Sequence, residues 1–329
     1  MDQQTGSRVQ VETIPRGRML LRFVRQLAFA LISIIVLIVI FTILNPRFLS
    51  PDNWFHIAQQ VAVIAILAIA QTFIIATAGI DISQGSVLAL SSMICAIGIV
   101  DLHLGVVGSI VVTLLIGALV GALIGFAVVT LDVPPFIATL GMLAIALGAA
   151  LLTTNGTPVF GLPDSFQNIS QGTIAGFPNM AWIAIVLALI SAFILNKTRF
   201  GRYTLAIGSN PEAARRVGIN VPRHLMYIYI LGGVISALAG VVYLAYTAAA
   251  QPTSGANYEL YAIAAVVIGG GSLFGGVGTI LGSILGALLM TILKNGTQLA
   301  GISSYVEQVI LGLVVVGAVY IDNLRRRLR

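Results

Sequence analysis

The sequence predicts an all-α polytopic membrane protein of about ten transmembrane segments, and three observations lead there. The first is composition: 58% of the 329 residues are hydrophobic and 9% are charged, against about 45–50% apolar and about 25% charged in a soluble globule. So little charge cannot cover the outside of a soluble fold. The second is that the apolar residues gather in ten runs, at about 27–44, 57–78, 87–100, 104–131, 136–152, 181–195, 225–249, 260–268, 279–293 and 309–321. The third is where the basic residues fall between those runs. Together they exclude a disordered chain, a nucleic-acid binder and a disulfide-stapled secreted scaffold. The single cysteine, Cys95, sits inside an apolar run.

Taken in order, the first run follows Arg8, Arg16, Arg18, Arg22 and Arg25 and ends at Asn45-Pro46-Arg47. A cleavable signal peptide would be earlier and shorter and would end in small residues, so this is read as a retained span. A straight helix needs about 20 residues to cross about 30 Å of hydrocarbon. The runs at 87–100 and 260–268 are therefore expected to be half-helices or re-entrant pieces. An even number of spans places both termini on one side. With the N-terminus inside, the tail arginines join Lys197, Arg199, Arg202, Arg215, Arg216 and Arg223 of the 196–224 loop and Arg325, Arg326, Arg327 and Arg329. Fifteen of the 17 Lys and Arg then lie on one face, leaving Arg47 and Lys294 on the other. That distribution sets the orientation, with both termini cytoplasmic.

The chain divides into a basic tail at 1–26, a transmembrane domain at 27–322 carrying the cytoplasmic loop 196–224, and a basic tail at 323–329. No apolar run holds an ionisable residue in its interior; Asp81, Asp101, Asp132, Glu259 and Glu307 lie at run ends or in connections. Proton relays need such groups at membrane depth, so a proton-driven carrier is disfavoured, while a sodium-coupled one using backbone carbonyls stays open. Gly117, Gly121 and Gly125 stripe the fourth run, and Gly278, Gly282 and Gly286 the ninth. Both suit close helix packing. Five spans apart, they also suggest a 5+5 inverted repeat, although glycine stripes are common in membrane helices generally.

No enzyme site emerges. A phosphate-cradling loop needs G-x-x-x-x-G-K-[ST], and neither Lys197 nor Lys294 lies in that context. The glycine cluster at 269–278 falls between short apolar runs, which fits a helix break lining a cavity. His56, His103 and His224 are scattered, so no metal or cofactor is expected in this chain.

Within the 196–224 loop, residues 208–218 specify a short helix. Asn210 is a good N-cap and Pro211 suits the first helical position. Glu212 near the start and Arg215 and Arg216 near the end complement the dipole, with Ala213 and Ala214 between them, and Gly218 is placed to terminate it. Two turns are marginal alone in water. Such a helix either docks on a partner or lies on the membrane surface. A second segment, Gly79-Ile80-Asp81-Ile82-Ser83-Gln84-Gly85-Ser86, offers Asp81 or Ser83 as a cap for the half-helix that follows; an ordinary turn is the alternative. Gln59, Gln60, Gln71 and Thr72 on the second run and Ser236 on the seventh are polar. They either line a path for an uncharged polyhydroxylated solute or bridge helices. The candidate path or gate residues are Gln59, Gln60, Gln71, Asp81, Ser83, Asn155 and Tyr261.

Several stretches carry a resemblance. Gly79-Ile80-Asp81-Ile82-Ser83-Gln84-Gly85-Ser86-Val87-Leu88-Ala89-Leu90, Phe200-Gly201-Arg202-Tyr203, and Asn210-Pro211-Glu212-Ala213-Ala214-Arg215 with Gly218-Ile219-Asn220 are of this kind. So are Ala250-Gln251-Pro252-Thr253-Ser254-Gly255 leading into Tyr258-Glu259-Leu260, and Ala262-Ile263-Ala264-Ala265-Val266-Val267-Ile268-Gly269-Gly270. In order and spacing, from about residue 27 to 322, the chain resembles the permeases of ribose-type sugar ABC importers. The resemblance implies a permease pair, expected as a homodimer in the bacterial inner (plasma) membrane, working with two cytoplasmic ATPase subunits that bind the ATP. It also implies a periplasmic or lipid-anchored sugar-binding protein that delivers the solute. Residues 210–218 would then be the coupling helix seated on the ATPase, and ATP-driven closure would switch the permease between inward- and outward-facing states.

One position departs from the pattern. Where such permeases commonly read Glu-Leu-Asp-Ala-Ile-Ala, this chain has Glu259-Leu260-Tyr261-Ala262-Ile263-Ala264. The substrate, or a docking contact with the binding protein, does not carry over through Tyr261. The alternative function is an autonomous secondary carrier or facilitator of small neutral solutes, which would have no use for a short docking helix.

Overall fold

The computed structural model describes residues 16–327; Arg8 and Arg329 of the two basic tails lie outside them. Thirteen α-helices account for most of the described chain: α1 (Arg16–Leu44), α2 (Pro51–Ala76), α3 (Gln84–Val100), α4 (Gly105–Val129), α5 (Pro135–Thr154), α6 (Asp164–Gln171), α7 (Asn179–Lys197), α8 (Arg199–Ser209), α9 (Pro211–Arg216), α10 (Val221–Thr247), α11 (Tyr258–Ile268), α12 (Ile280–Leu299) and α13 (Ser304–Arg327). Seven of them, α2, α4, α5, α7, α10, α12 and α13, are long and apolar enough to cross a membrane. Three shorter apolar helices, Ala30–Leu44 within α1, α3 and α11, take up the remaining apolar runs. The protein is a polytopic membrane protein.

Helix ends follow local chemistry. Pro51 opens α2 where its missing N–H is harmless, and the Ser50 hydroxyl accepts from the Asn53 N–H at 3.3 Å. Two features were not evident in the runs. The stretch between α5 and α7 holds α6 and a two-residue hairpin, Thr173–Ile174 paired with Phe177–Pro178. Helix α12 continues past the apolar run to Leu299, so Lys294 lies inside a helix rather than in a connection.

Helix α2 is buried without a break from Ala62 to Ala76, and much of α10, α3 and α12 is buried with it. The outer helices instead expose apolar side chains, among them Leu115 and Leu119 on α4, Leu189 and Phe193 on α7, and Leu313 and Val316 on α13. Against lipid tails such faces carry no hydrophobic penalty, so packing and small residues decide which helices meet. On α4, Gly117, Gly121 and Gly125 face α10: a Cβ on Gly121 would meet the Tyr229 carbonyl oxygen, and one on Gly125 would lie 2.7 Å from the Met226 sulfur. On α12, Gly282 and Gly286 face the carbonyls of Gly269 and Ala265. Gly278 does not belong to that helical stripe. Thr279 is the N-cap of α12, its hydroxyl accepting from the Gly282 N–H at 3.2 Å, which leaves Gly278 in the preceding loop.

The packing partners fall into matching pairs. Helix α3 packs on α4 and α5, and α11 packs on α12 and α13; α10 packs on α4 and α3, and α2 packs on α12 and α11; α2 and α10 pack on each other.

Candidate functional site

Two regions carry the residues singled out by sequence. The first is α9. The Asn210 side chain accepts from the Ala213 N–H at 2.9 Å, Pro211 occupies the first turn with Glu212, and Arg215 and Arg216 occupy the last. Gly218 takes a positive φ of 86°, and its N–H donates to the Arg215 carbonyl at 3.0 Å. This left-handed residue lets the chain leave the helix at once. Only Ala214 of α9 is buried, in a small cluster with Ile207 and Val221. The rest of the helix is exposed, and Val217, just beyond it, is 77% exposed.

The base on which α9 stands is closely packed. Gly208 at the end of α8 fits against Ala76 at the end of α2, and the Gly276 N–H donates to the Ala76 carbonyl at 3.0 Å. The glycine-rich loop 269–278 is therefore wedged between α2 and α8. Its other end is tied to α13, where Asp322 accepts from the Ser272 hydroxyl at 3.2 Å and from the Leu273 N–H at 3.1 Å.

The second region is the crossing of the two connections that interrupt the bundle, 77–83 between α2 and α3 and 248–257 between α10 and α11. Asp81 is buried and caps locally, accepting at Oδ1 from the Ser83 N–H at 2.8 Å and from the Ser83 hydroxyl at 2.6 Å. Ser83 itself makes no side-chain bond to cap α3, so of the two proposed caps Asp81 orders the turn and neither caps the helix. Gln71, fully buried on α2, bridges to this turn. With its amide nitrogen 3.2 Å from the Asp81 carbonyl, its oxygen accepts from the Asp81 N–H at 3.3 Å, the orientation that its partners require. Beyond the turn, the first turn of α3 touches the 248–257 connection. A Cβ on Gly85 would meet both the Gly255 carbonyl and the Glu259 carboxylate, and a Cβ on Gly255 would meet the Gly85 carbonyl. Glycine is needed at both places to let backbone lie on backbone.

Gln71, Asp81 and Ser83 are thus brought together, and the other candidates are not. Gln59 donates to the Ser170 carbonyl at 2.9 Å and holds α6 on α2; Gln60 donates to the Tyr246 hydroxyl at 3.3 Å. Asn155 is exposed and ends α5 in a left-handed conformation. Tyr261 is buried in a separate cluster, where its hydroxyl donates to Glu307 on α13 at 2.5 Å. Lys294 donates to the Tyr258 hydroxyl at 3.1 Å and lies 4.3 Å from the centre of the Tyr258 ring and 5.3 Å from that of Tyr261. Sequence gave no sign of this cluster, because Glu307 lies 46 residues from Tyr261 and Lys294 ends an apolar run.

Among the described residues, no group of three or more His, Cys, Asp or Glu is placed to hold a metal ion.

Comparison with known proteins agrees with this picture. A family profile described as "Branched-chain amino acid transport system / permease component" matches residues 53–319. The ribose import permease protein RbsC of Escherichia coli strain K12 is 41% identical over 298 residues, 89% of this chain and 92% of that protein. Its namesake in Bacillus subtilis strain 168 is 43% identical over 295 residues, 89% and 91% of the two chains. The D-allose transport system permease protein AlsC of Escherichia coli K12 is 34% identical over 294 residues, 88% and 89%. No solved structure matches the chain. Permeases of this kind do no bond chemistry themselves; an ATPase partner handles the ATP, and a binding protein serves the same importer. With its helical bundle and these relatives across most of its length, the chain belongs to the permease components of monosaccharide-type ABC importers.

Proposed function

We propose that this permease carries ribose or a closely related pentose inward across a bacterial plasma membrane, as one of two identical copies, by alternating access. The substrate class rests on the ribose import permeases, which are 41% and 43% identical to it. The permeases named for D-allose and fructose, at 34% and 36%, are less similar. The termini and the α7–α10 connection lie in the cytoplasm, as the positive-inside rule requires of their arginines. ATP binds the partner alone, so the permease itself needs no cofactor.

The observation that carries the mechanism is α9. Six residues, fully capped yet exposed on all but Ala214, are too few to be stable without support, and support from a cleft in the ATPase explains both the capping and the exposure. Residues 210–218 are the coupling helix. The bundle behind it comprises ten apolar helices in two halves of five, inverted with respect to each other. In favour of this, α3–α4, α3–α5, α10–α4 and α10–α3 are matched by α11–α12, α11–α13, α2–α12 and α2–α11. Each half then contributes one interrupted element, α3 or α11, and Gly85 at the start of α3 meets Gly255 in the connection leading into α11. Discontinuous helices at a repeat interface are where carriers of this build place their solute.

Reconstitution into proteoliposomes with the cognate ATPase and binding protein tests the proposal. D-ribose is expected to accumulate only with ATP and with binding protein on the outer side. Accumulation without either would return the chain to the autonomous carriers.

A further inference from the structure

Beside the crossing lies a cavity of 210 Å³ that none of the candidate path residues lines. Its floor is the start of α3, with Gly85 and Ser86; its roof is the connection into α11, with Thr253, Asn257 and Glu259; its side is α5, with Leu143 and Leu147. We infer that this cavity is the sugar contact of the translocation path, and that the Glu259 carboxylate, with Ser86 and Asn257 beside it, grips the hydroxyls of one neutral monosaccharide. The inference rests on the importer reading above and locates its substrate site.

Three features carry it. The volume is below the ~300–1,000 Å³ of pockets that take drug-sized ligands, so the occupant is small. The lining holds a carboxylate, two hydroxyls and an amide but no Lys or Arg. Such a set accepts and donates hydrogen bonds to an uncharged polyol and repels an anion. The leucines of α5 provide an apolar wall for the C–H face of a sugar ring. Finally, Glu259 packs closely on the start of α3: Gly85 lacks the Cβ that would strike its carboxylate. By contrast Gln59 and Gln71 are buried and committed to other partners. The path therefore runs past Glu259 rather than past Gln59 and Gln71.

Two measurements on the full transporter test this. Ala256, exposed at the rim of the cavity, is replaced by cysteine in a Cys95→Ala background, and labelling by a small charged methanethiosulfonate reagent is timed with and without D-ribose. Ribose is expected to slow labelling severalfold, while the same concentration of a sugar acid leaves the rate unchanged. In parallel, Glu259→Gln should lower ATP-driven ribose uptake about tenfold, in line with losing a charged hydrogen-bond acceptor. If the wild type transports ribose but ribose does not slow labelling at position 256, the site lies elsewhere and the inference is overturned. If the wild type does not transport at all, the failure belongs to the importer reading.

Discussion

Gly208, in the last turn of α8, lies so close to the backbone of Ala76 at the end of α2 that a methyl group at position 208 would meet the Ala76 carbonyl oxygen. Asn210, the N-cap of α9, lies two residues later. The segment leading into α9 therefore rests by backbone contacts on α2 and on the loop that Asp322 ties to α13. Packed protein has few soft spots to absorb a push on α9.

Gly208→Ala is accordingly predicted to loosen this joint. Overpacking of this kind costs about 1–3 kcal/mol. Uptake per ATP hydrolysed should fall about tenfold, while the ATPase still co-purifies. Simultaneous assay of ATP hydrolysis and sugar uptake checks it, and an unchanged ratio would count against the joint.

Asn210→Ala removes the side-chain oxygen that caps α9. Loss of an N-cap costs about 1 kcal/mol, large for a six-residue helix. ATPase affinity should drop severalfold, and Asn210→Asp, which keeps the cap, should restore it. Glu212→Lys reverses a charge at the helix start and should abolish uptake without affecting membrane insertion. Binding and uptake assays on the three variants decide the matter.

Gln71→Leu cuts both bonds to the Asp81 backbone at a fully buried position. Leaving buried polar groups unpaired costs about 1–3 kcal/mol, so the apparent Tm of the solubilised protein should fall. A Tm equal to the wild type would free Gln71 from the turn and return it to the pathway.

Tyr261→Phe removes the hydroxyl that donates to Glu307. A hydrogen bond to a charged group is worth about 1.5–3 kcal/mol, and the loss should again appear as a lower apparent Tm. Because Lys294 also rests on the Tyr258 and Tyr261 rings, Tyr261→Leu should cost more than Tyr261→Phe. Equal losses would show that the ring makes no contribution.

Gly121→Val should prevent stable folding by driving α4 off α10 at Tyr229, whereas Gly312→Val on α13, where a Cβ would have nothing within 4 Å, should be tolerated. Monodispersity in detergent distinguishes them.

Much of this was legible in the sequence, for local reasons. Each of the ten apolar runs is a helix because apolar length alone specifies one when no water is present to satisfy the backbone. The cap, first-turn proline and terminal glycine of α9 are neighbours in the chain and act on one another directly. What was not legible depends on distant partners. Lys294 marks the end of an apolar run, yet α12 continues through it, and the Tyr258 hydroxyl on another helix accepts a hydrogen bond from its ammonium. Gln71 and Asp81 meet only because the chain turns back after α2. The touch of Gly85 and Gly255 joins residues 170 positions apart in the chain, so only the fold could show that these glycines serve each other. Gly278 matched the spacing of a stripe, but Thr279 starts the helix after it.

The most direct test is to crosslink the tagged permease in its native membrane, extract it in mild detergent and identify its partners, with and without residues 210–218. A P-loop ATPase is expected to be held by the intact chain and lost from the deletion variant, with both permeases inserted normally. An ATPase retained equally by the deletion variant would contradict the role assigned to α9, and no ATPase in either sample would contradict the importer itself.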